Sequence, residues 1–146
     1  IDISKLSGNV LDLGCGIGVV GIILGTINEN INIDMIDIND RAISLVRDNL
    51  TLNKVKANVF SSDVYSNVNK KYDYIITNPP IRAGKEVVRK FLLGGYDYLN
   101  DNGILYFVMR KDHGVKSMIK ELENKYNVTI INKDKGFYIV SLTKHL

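Results

Sequence analysis

Short apolar runs alternate with amphipathic stretches along nearly the whole chain. Residues 9–13 form a brief run of strand character. After a glycine-rich corner, Val19, Val20, Ile22, Ile23, Leu24 and Ile27 read as a helix packed on a sheet. Residues 31–38 alternate well enough to predict a second strand. Ala42, Leu45, Val46 and Leu50 then recur at the three-and-four spacing of an amphipathic helix, with Asn39 or Asp40 as its cap. Further strands are predicted over 57–60, 72–77, 104–109, 128–131 and 137–142. One helix is expected after Pro80, carrying Val88, Phe91, Leu92 and Leu99 on its apolar face and Arg82, Lys85 and Arg89 on another, with a turn over 100–103 behind it. Val115, Met118, Ile119, Leu122 and Tyr126 mark a last helix, and the tight link at 133–136 predicts an antiparallel hairpin at the sheet's end.

Strands alternating with helices imply right-handed crossovers, and so an α/β fold: a doubly wound, mostly parallel sheet of seven strands. In such sheets ligands bind beyond the carboxyl ends of the strands, where the strand order reverses. Asp12, Gly14, Asp37, Asp63 and Asn78 all fall at or near those predicted ends.

Composition narrows this reading rather than changing it. A chain of 146 residues with 45% apolar and 24% charged residues fits one globular domain. The longest uncharged apolar run, 17–27, is too short to span a bilayer and carries three glycines, and no signal-peptide pattern precedes it, so a cytoplasmic location is expected. A single cysteine excludes an internal disulfide, and two histidines far apart, His113 and His145, offer no metal-ligand spacing, so no metal is expected. A net charge of +3 says little about nucleic acid, because a patch matters more than a total. The chain begins about eight residues before its first strand, which suggests the core of a longer protein.

The candidate chemistry lies in two stretches. In Asp12-Leu13-Gly14-Cys15-Gly16-Ile17-Gly18, alternate glycines leave bare backbone amides and a helix N-terminus facing the turn. Gly16-Ile17-Gly18-Val19-Val20-Gly21 also matches the dinucleotide fingerprint, with Asp37 about twenty residues on. That fingerprint should start directly after the strand, however, and there the residue is Gly14. An acid at the strand's end suits a ligand with a cationic amino group and would repel a pyrophosphate. Cys15 reads as a small packed residue, since no base is near it in sequence. Asp37 closes the second strand where a ribose edge would lie, unless it serves as a helix cap. Asp63 closes the third, positioned to accept from an adenine amino group with Val64 over the ring.

The second stretch is Asn78-Pro79-Pro80-Ile81, which holds both prolines of the chain. Consecutive prolines keep Asn78 and Pro79 extended, so the Asn78 side-chain oxygen and the Pro79 carbonyl can converge on one exocyclic amine. Arg82, Lys85 and Arg89 follow within two turns, and Arg110 and Lys111 after the fifth strand extend the same basic patch toward phosphates.

Together these motifs resemble the class I S-adenosylmethionine-dependent methyltransferases. DLGCGIG is similar to their motif I, IDIND to the acidic second-strand end, SSDV to the third-strand acid, and NPPI to motif IV of the amino methyltransferases. ITNPPIRAGKEVV and the closing KGFYIV resemble more narrowly the small-domain branch that holds the bacterial small-subunit ribosomal RNA guanine-N2 methyltransferases. The resemblance implies a Rossmann-like sheet with strands one and four side by side at its centre and the last strand antiparallel. It implies S-adenosylmethionine as cofactor, with Asp12, Gly14, Cys15, Gly16 and Gly18 at its methionine end, Asp37 and Ile38 at the ribose, Asp63 and Val64 at the adenine, and Asn78 between cofactor and target. Asn78, Pro79, Pro80 and Ile81 would carry catalysis. The implied partner is RNA, reached through Arg82, Lys85, Arg89, Arg110 and Lys111, with no membrane. The resemblance also implies a segment before the first strand, nearly all of which is expected to lie outside this sequence. An aliphatic Ile81, where adenine-N6 and glutamine methyltransferases place an aromatic, favours guanine in RNA; outside methyl transfer, a nicotinamide oxidoreductase or an inactive cofactor- or RNA-binding module would share parts of the pattern.

Overall fold

The computed structural model describes residues 7–16 and 18–145. The lead-in before the first strand and Ile17 in the glycine corner lie outside them. Seven strands form one sheet: β1 (Gly8–Leu13), β2 (Ile31–Asp37), β3 (Asn58–Ser61), β4 (Tyr72–Thr77), β5 (Leu99–Arg110), β6 (Tyr126–Asp134) and β7 (Phe137–Lys144), in the order β3-β2-β1-β4-β5-β7-β6. The pairs around β1 and between β4 and β5 are parallel, and β7 runs antiparallel to both its neighbours. β1 and β4 are therefore adjacent at the centre, and the crevice of strand-order reversal opens between their carboxyl ends.

The helices are α1 (Val19–Ile27), α2 (Asp40–Asn53), α3 (Lys85–Leu92) and α4 (Val115–Leu122). Asn39 is the cap of α2, its side chain accepting from the Arg41 and Ala42 amides. That leaves the Asp37 carboxylate for other work. α3 and α4 bury Val88, Phe91, Leu92, Val115, Met118 and Leu122 against alternate residues of β5 and β7. Leu24, Val46 and Leu50 of α1 and α2 cover Val10, Ile33 and Met35 from the opposite face. Near the amino ends, buried Asp34 accepts from Tyr72 Oη at 2.6 Å and Asn58 Nδ2 at 3.0 Å and pairs with Lys70 at 3.1 Å, linking β2 to β3 and, across β1, to β4.

The structure corrects the sequence reading at three points. The single helix expected after Pro80 is broken: a 3-10 turn at Ile81–Ala83 precedes α3, another at Gly94–Tyr98 follows it, and Leu99 opens β5 instead of lying on a helix. Gly84, at φ 100°, ends the first turn, and Gly95 lets the chain pass where a Cβ would meet Leu105 at 2.5 Å. Residues 100–103 are not a separate turn but the irregular start of β5, where the register slips between Tyr72↔Leu99 and Tyr74↔Ile104. Tyr126, expected at the end of the last helix, begins β6. At the hairpin tip Lys135 and Gly136 both have positive φ, 49° and 82°, the two-residue turn whose twist suits antiparallel strands.

Candidate active site

The glycine corner and the Asn-Pro-Pro corner open into one cavity of about 320 Å³ beyond the carboxyl ends of β1 to β4. Leu13, Gly14, Ile36, Asp37 and Ile38 form one side, Ser62, Asp63 and Val64 the far end, and Asn78, Pro80, Ala83, Val87 and Phe91 the other side. A larger hollow, about 600 Å³, lies at the opposite end of the sheet around Gly25, Asn28, Lys54 and Asn58 and holds none of the candidate residues.

Each corner is held by bonds to its neighbour strands. After β1 the chain turns at Gly14, φ 71°, where a Cβ would come within 3.2 Å of the Phe91 ring. Glycine here satisfies both the left-handed backbone and the ring's approach. Cys15 N–H donates to the Ile36 carbonyl at 2.8 Å, and Gly16 N–H to Asp37 Oδ2 at 3.0 Å. The other Asp37 oxygen accepts from Asn39 N–H at 2.9 Å. The carboxylate is thus fixed at the cavity wall by two backbone donors, each oxygen keeping a free acceptor direction. On the β4 side, buried Thr77 donates its hydroxyl to the Leu13 carbonyl at 2.9 Å, which ties the residue before Asn78 to the residue before Gly14.

Asp12 points elsewhere. It is buried behind β1 and accepts from Gly21 N–H in α1 at 3.1 Å. Gly21 permits that contact, since a Cβ there would sit 2.5 Å from the Met35 methyl and 3.1 Å from the carboxylate itself. Burial pushes Asp12 up to about 6; the Gly21 amide opposes the shift and nearby Asp37 adds to it. Burial, with Asp12 and Asp37 close by, likewise pushes the Cys15 thiol up to about 12, so the sulfur is a neutral packed group.

The far end of the cavity is shaped by strain. Val64 sits at φ 53°, a position β-branched residues avoid. Buried Ser62 holds it there: its hydroxyl donates to the Val64 carbonyl at 2.8 Å and accepts from Asn67 N–H at 3.0 Å. Asp63 is exposed at the rim, its own amide bound by Ser66 Oγ at 3.0 Å.

Of the predicted residues, the cavity gathers Gly14, Asp37, Ile38, Asp63, Val64, Asn78 and Pro80. Asp12, Cys15, Gly16, Gly18 and buried Pro79 stand behind it, and Ile81 lines a different hollow between α3 and α4. Ser62, Val87 and Phe91 are wall residues that the sequence reading missed. The i, i+4 pair Val87–Phe91 on α3 was the available signal, one edge of the helix face whose Val88, Phe91 and Leu92 join the core. The basic residues divide. Arg82, Lys85 and Lys111 are exposed, whereas Arg89 is paired with Glu121 at 3.0 Å and Arg110 with Asp112 at 2.9 Å. Among the described residues no helix is long and apolar enough to cross a membrane.

A sheet in this order, with an acid closing β2 beside a glycine corner and Asn-Pro-Pro closing β4 over the same cavity, defines a class I methyltransferase, whose cofactor is S-adenosylmethionine. Within that class the chain belongs to the methyltransferase small domain family, whose sequence profile matches residues 2–141. YbxB, an uncharacterized protein of Bacillus subtilis, is 37% identical over 96% of this chain and 72% of its own length. Ribosomal RNA small subunit methyltransferase C of Vibrio vulnificus is 35% identical over 96% of this chain but only 42% of its own length. The fold also superposes on the T. thermophilus 16S rRNA N2 G1207 methyltransferase in complex with AdoMet and guanosine, with a TM-score of 0.83 at 21% identity over 98% of this chain and 39% of that one. The ribosomal protein L11 methylase of Lactobacillus delbrueckii gives a TM-score of 0.84 at 17% identity, covering 97% and 72%.

Proposed function

We propose that this domain transfers a methyl group from S-adenosylmethionine to the exocyclic N2 of a guanine in small-subunit ribosomal RNA. The observation that carries the reading is that Asp37 and Asn78 line one cavity, each tied to the β1 corner between them, Asp37 through Gly16 N–H and the Asn78 strand through Thr77 and Leu13. The residues fit the cofactor. Asp37 offers a pinned carboxylate with acceptor directions left for a ribose diol, and Ile38, Val64, Val87 and Phe91 supply apolar walls for a flat ring. Gly14 keeps the cradle beside Phe91 open, since any side chain there would fill it.

When bound, the cofactor supplies an electrophilic methyl on a sulfonium that leaves as a neutral thioether. The chain's part is alignment. A guanine N2 is a poor nucleophile because its lone pair is delocalised into the ring. The Asn78 oxygen and the Pro79 carbonyl, accepting its two hydrogens, would pyramidalise the nitrogen and aim the lone pair at the cavity. Asn78 is exposed, so the proton shed by the methylated amine has an exit to water. A base stacked in a helix cannot reach this edge, so the target is unstacked or flipped. The preference for guanine rests on Ile81: it is half-buried against the main core and lines the α3–α4 hollow, which leaves no ring over the target as adenine-N6 and glutamine enzymes have.

The test is methyl transfer from labelled cofactor to naked rRNA, assembled small subunits and free protein, followed by nucleoside and peptide analysis. N2-methylguanosine is expected. Label on adenine N6 or on glutamine would replace the substrate assignment, and no label on any acceptor, with S-adenosylhomocysteine still bound, would make the domain a binding module.

A further inference from the structure

Beyond the cavity, the same edge of the sheet carries an aromatic that the reaction does not use. Phe137 opens β7 at the hairpin tip, opposite Arg110 at the end of β5, and is 41% exposed. The register places Thr77 beside Phe107, two strands and three residues away from Phe137. At ordinary strand spacing and rise that is about 14 Å from the Asn78 corner, on the same carboxyl edge.

The ring is held rigidly. The Arg110 guanidinium lies over it at 5.3 Å and is itself clamped by Asp112 through bonds of 2.9 and 3.4 Å. Lys111 N–H donates to the Gly136 carbonyl at 2.7 Å, fastening the loop after β5 to the hairpin tip. Exposed Lys111 and Lys135 lie in the loop after β5 and in the hairpin turn beside it; of the nearby acids, Asp112 is paired with Arg110, and exposed Asp134 lies directly across the hairpin from Phe137. A fixed aromatic and guanidinium stack with lysines in the adjoining loops is the arrangement that binds an unpaired base and its phosphates, because stacking tolerates any base and the cations follow the backbone.

We propose that Phe137, backed by Arg110, is a stacking platform for an unpaired RNA nucleotide flanking the target guanine, with Lys111 and Lys135 on its phosphates. The proposal rests on the RNA reading above and deepens it: the platform holds the strand while the target base turns into the cavity. It is tested by fluorescence anisotropy of the chain, saturated with S-adenosylhomocysteine, against a fluorescein-labelled RNA stem-loop with an unpaired guanine. Phe137→Ala should weaken RNA binding about fivefold to a hundredfold, Phe137→Leu should do the same because it keeps the apolar bulk and loses the ring, and Phe137→Tyr should stay within about twofold of wild type. S-adenosylhomocysteine affinity by calorimetry should be unchanged in all three. Lys111→Ala should lower the salt dependence of RNA binding by about one unit of slope, while Phe137→Ala should leave the slope intact. Wild-type affinity in Phe137→Ala or Phe137→Leu, or a change of oligomeric state in place of RNA affinity, overturns the platform and leaves the RNA reading standing. A wild-type chain that ignores the stem-loop at every salt concentration but methylates protein overturns both.

Discussion

The two halves of the sheet are built differently. β1 and β2 are sandwiched: α1 and α2 bury Val10, Ile33 and Met35 from one side, while Leu11, Leu13 and Ile36 join the main core on the other. β5 and β7 are covered on one side only, and Tyr74 and Ile76 of β4 pack against the margin of the α1–α2 core. Leu105, Phe107 and Met109 are buried with Tyr138, Val140 and Leu142 beneath α3 and α4. Their alternates Tyr106, Val108 and Ile139, with Tyr74 and Ile76 of β4, remain half-exposed, and Tyr74 stacks on Tyr106 at 6.4 Å. Among the described residues no helix lies over that second face. The sandwiched half carries Asp37 and Ile38 of the proposed cofactor wall, where small displacements matter most. The other half carries the edge of Asn78, Arg110 and Phe137, to which the proposed RNA substrate would need access. Full burial fixes geometry, and partial burial leaves surface.

The sharpest way to break this contrast is to truncate neighbours on one strand. Phe107→Ala should cost about 3–5 kcal/mol of stability in chemical denaturation, and Tyr106→Ala about 1 kcal/mol, since one leaves a cavity and the other trims a half-wet face. Equal losses would mean both faces of β5 are packed alike.

On the open edge, Asn78→Ala should lower the methyl-transfer rate about a hundredfold with S-adenosylhomocysteine affinity preserved, because the acceptor it removes serves only the target amine. Lost cofactor affinity in calorimetry would move Asn78 to the cofactor side.

The buried half should reveal itself through pH. Asp12 is raised from 3.8 to about 6 in the folded chain, so folding favours its protonated form. That stability is fully present below 3.8 and is lost as pH rises through about 6. Relative to Asp12→Asn, the wild type should lose about 2 kcal/mol between pH 4 and pH 7. Parallel unfolding profiles of the two proteins over that range would show Asp12 ionising as freely as in the unfolded chain.

Asp37→Ala should cost about 1.5–3 kcal/mol in S-adenosylhomocysteine affinity, or about a tenfold to hundredfold weakening. Unchanged calorimetric affinity would take the ribose contact away from Asp37.

Much of this was legible in the residues. The alternation of apolar runs and amphipathic stretches specified element types and their order, because periodicity is a local property. The paired prolines and the alternate glycines likewise marked both corners, since each acts on its own backbone and its neighbours'. Element ends were less legible: Leu99 and Tyr126 carry helical spacing but belong to strands, Leu99 because Gly84, Gly94 and Gly95 break the helix that the spacing continues, Tyr126 because α4 ends at Leu122. Tertiary structure alone decided what faces what. Ile104 to Met109 is an unbroken apolar run that reads as buried on both faces, yet Tyr106 and Val108 are half-exposed, since periodicity reports that a strand packs and not how many layers cover it. Arg89 loses its free charge to Glu121, 32 residues away. Asp12 turns to α1, and Phe91, buried in the main core, also walls the cavity. Such pairings join positions distant in sequence, and only the closed fold brings them within bonding distance.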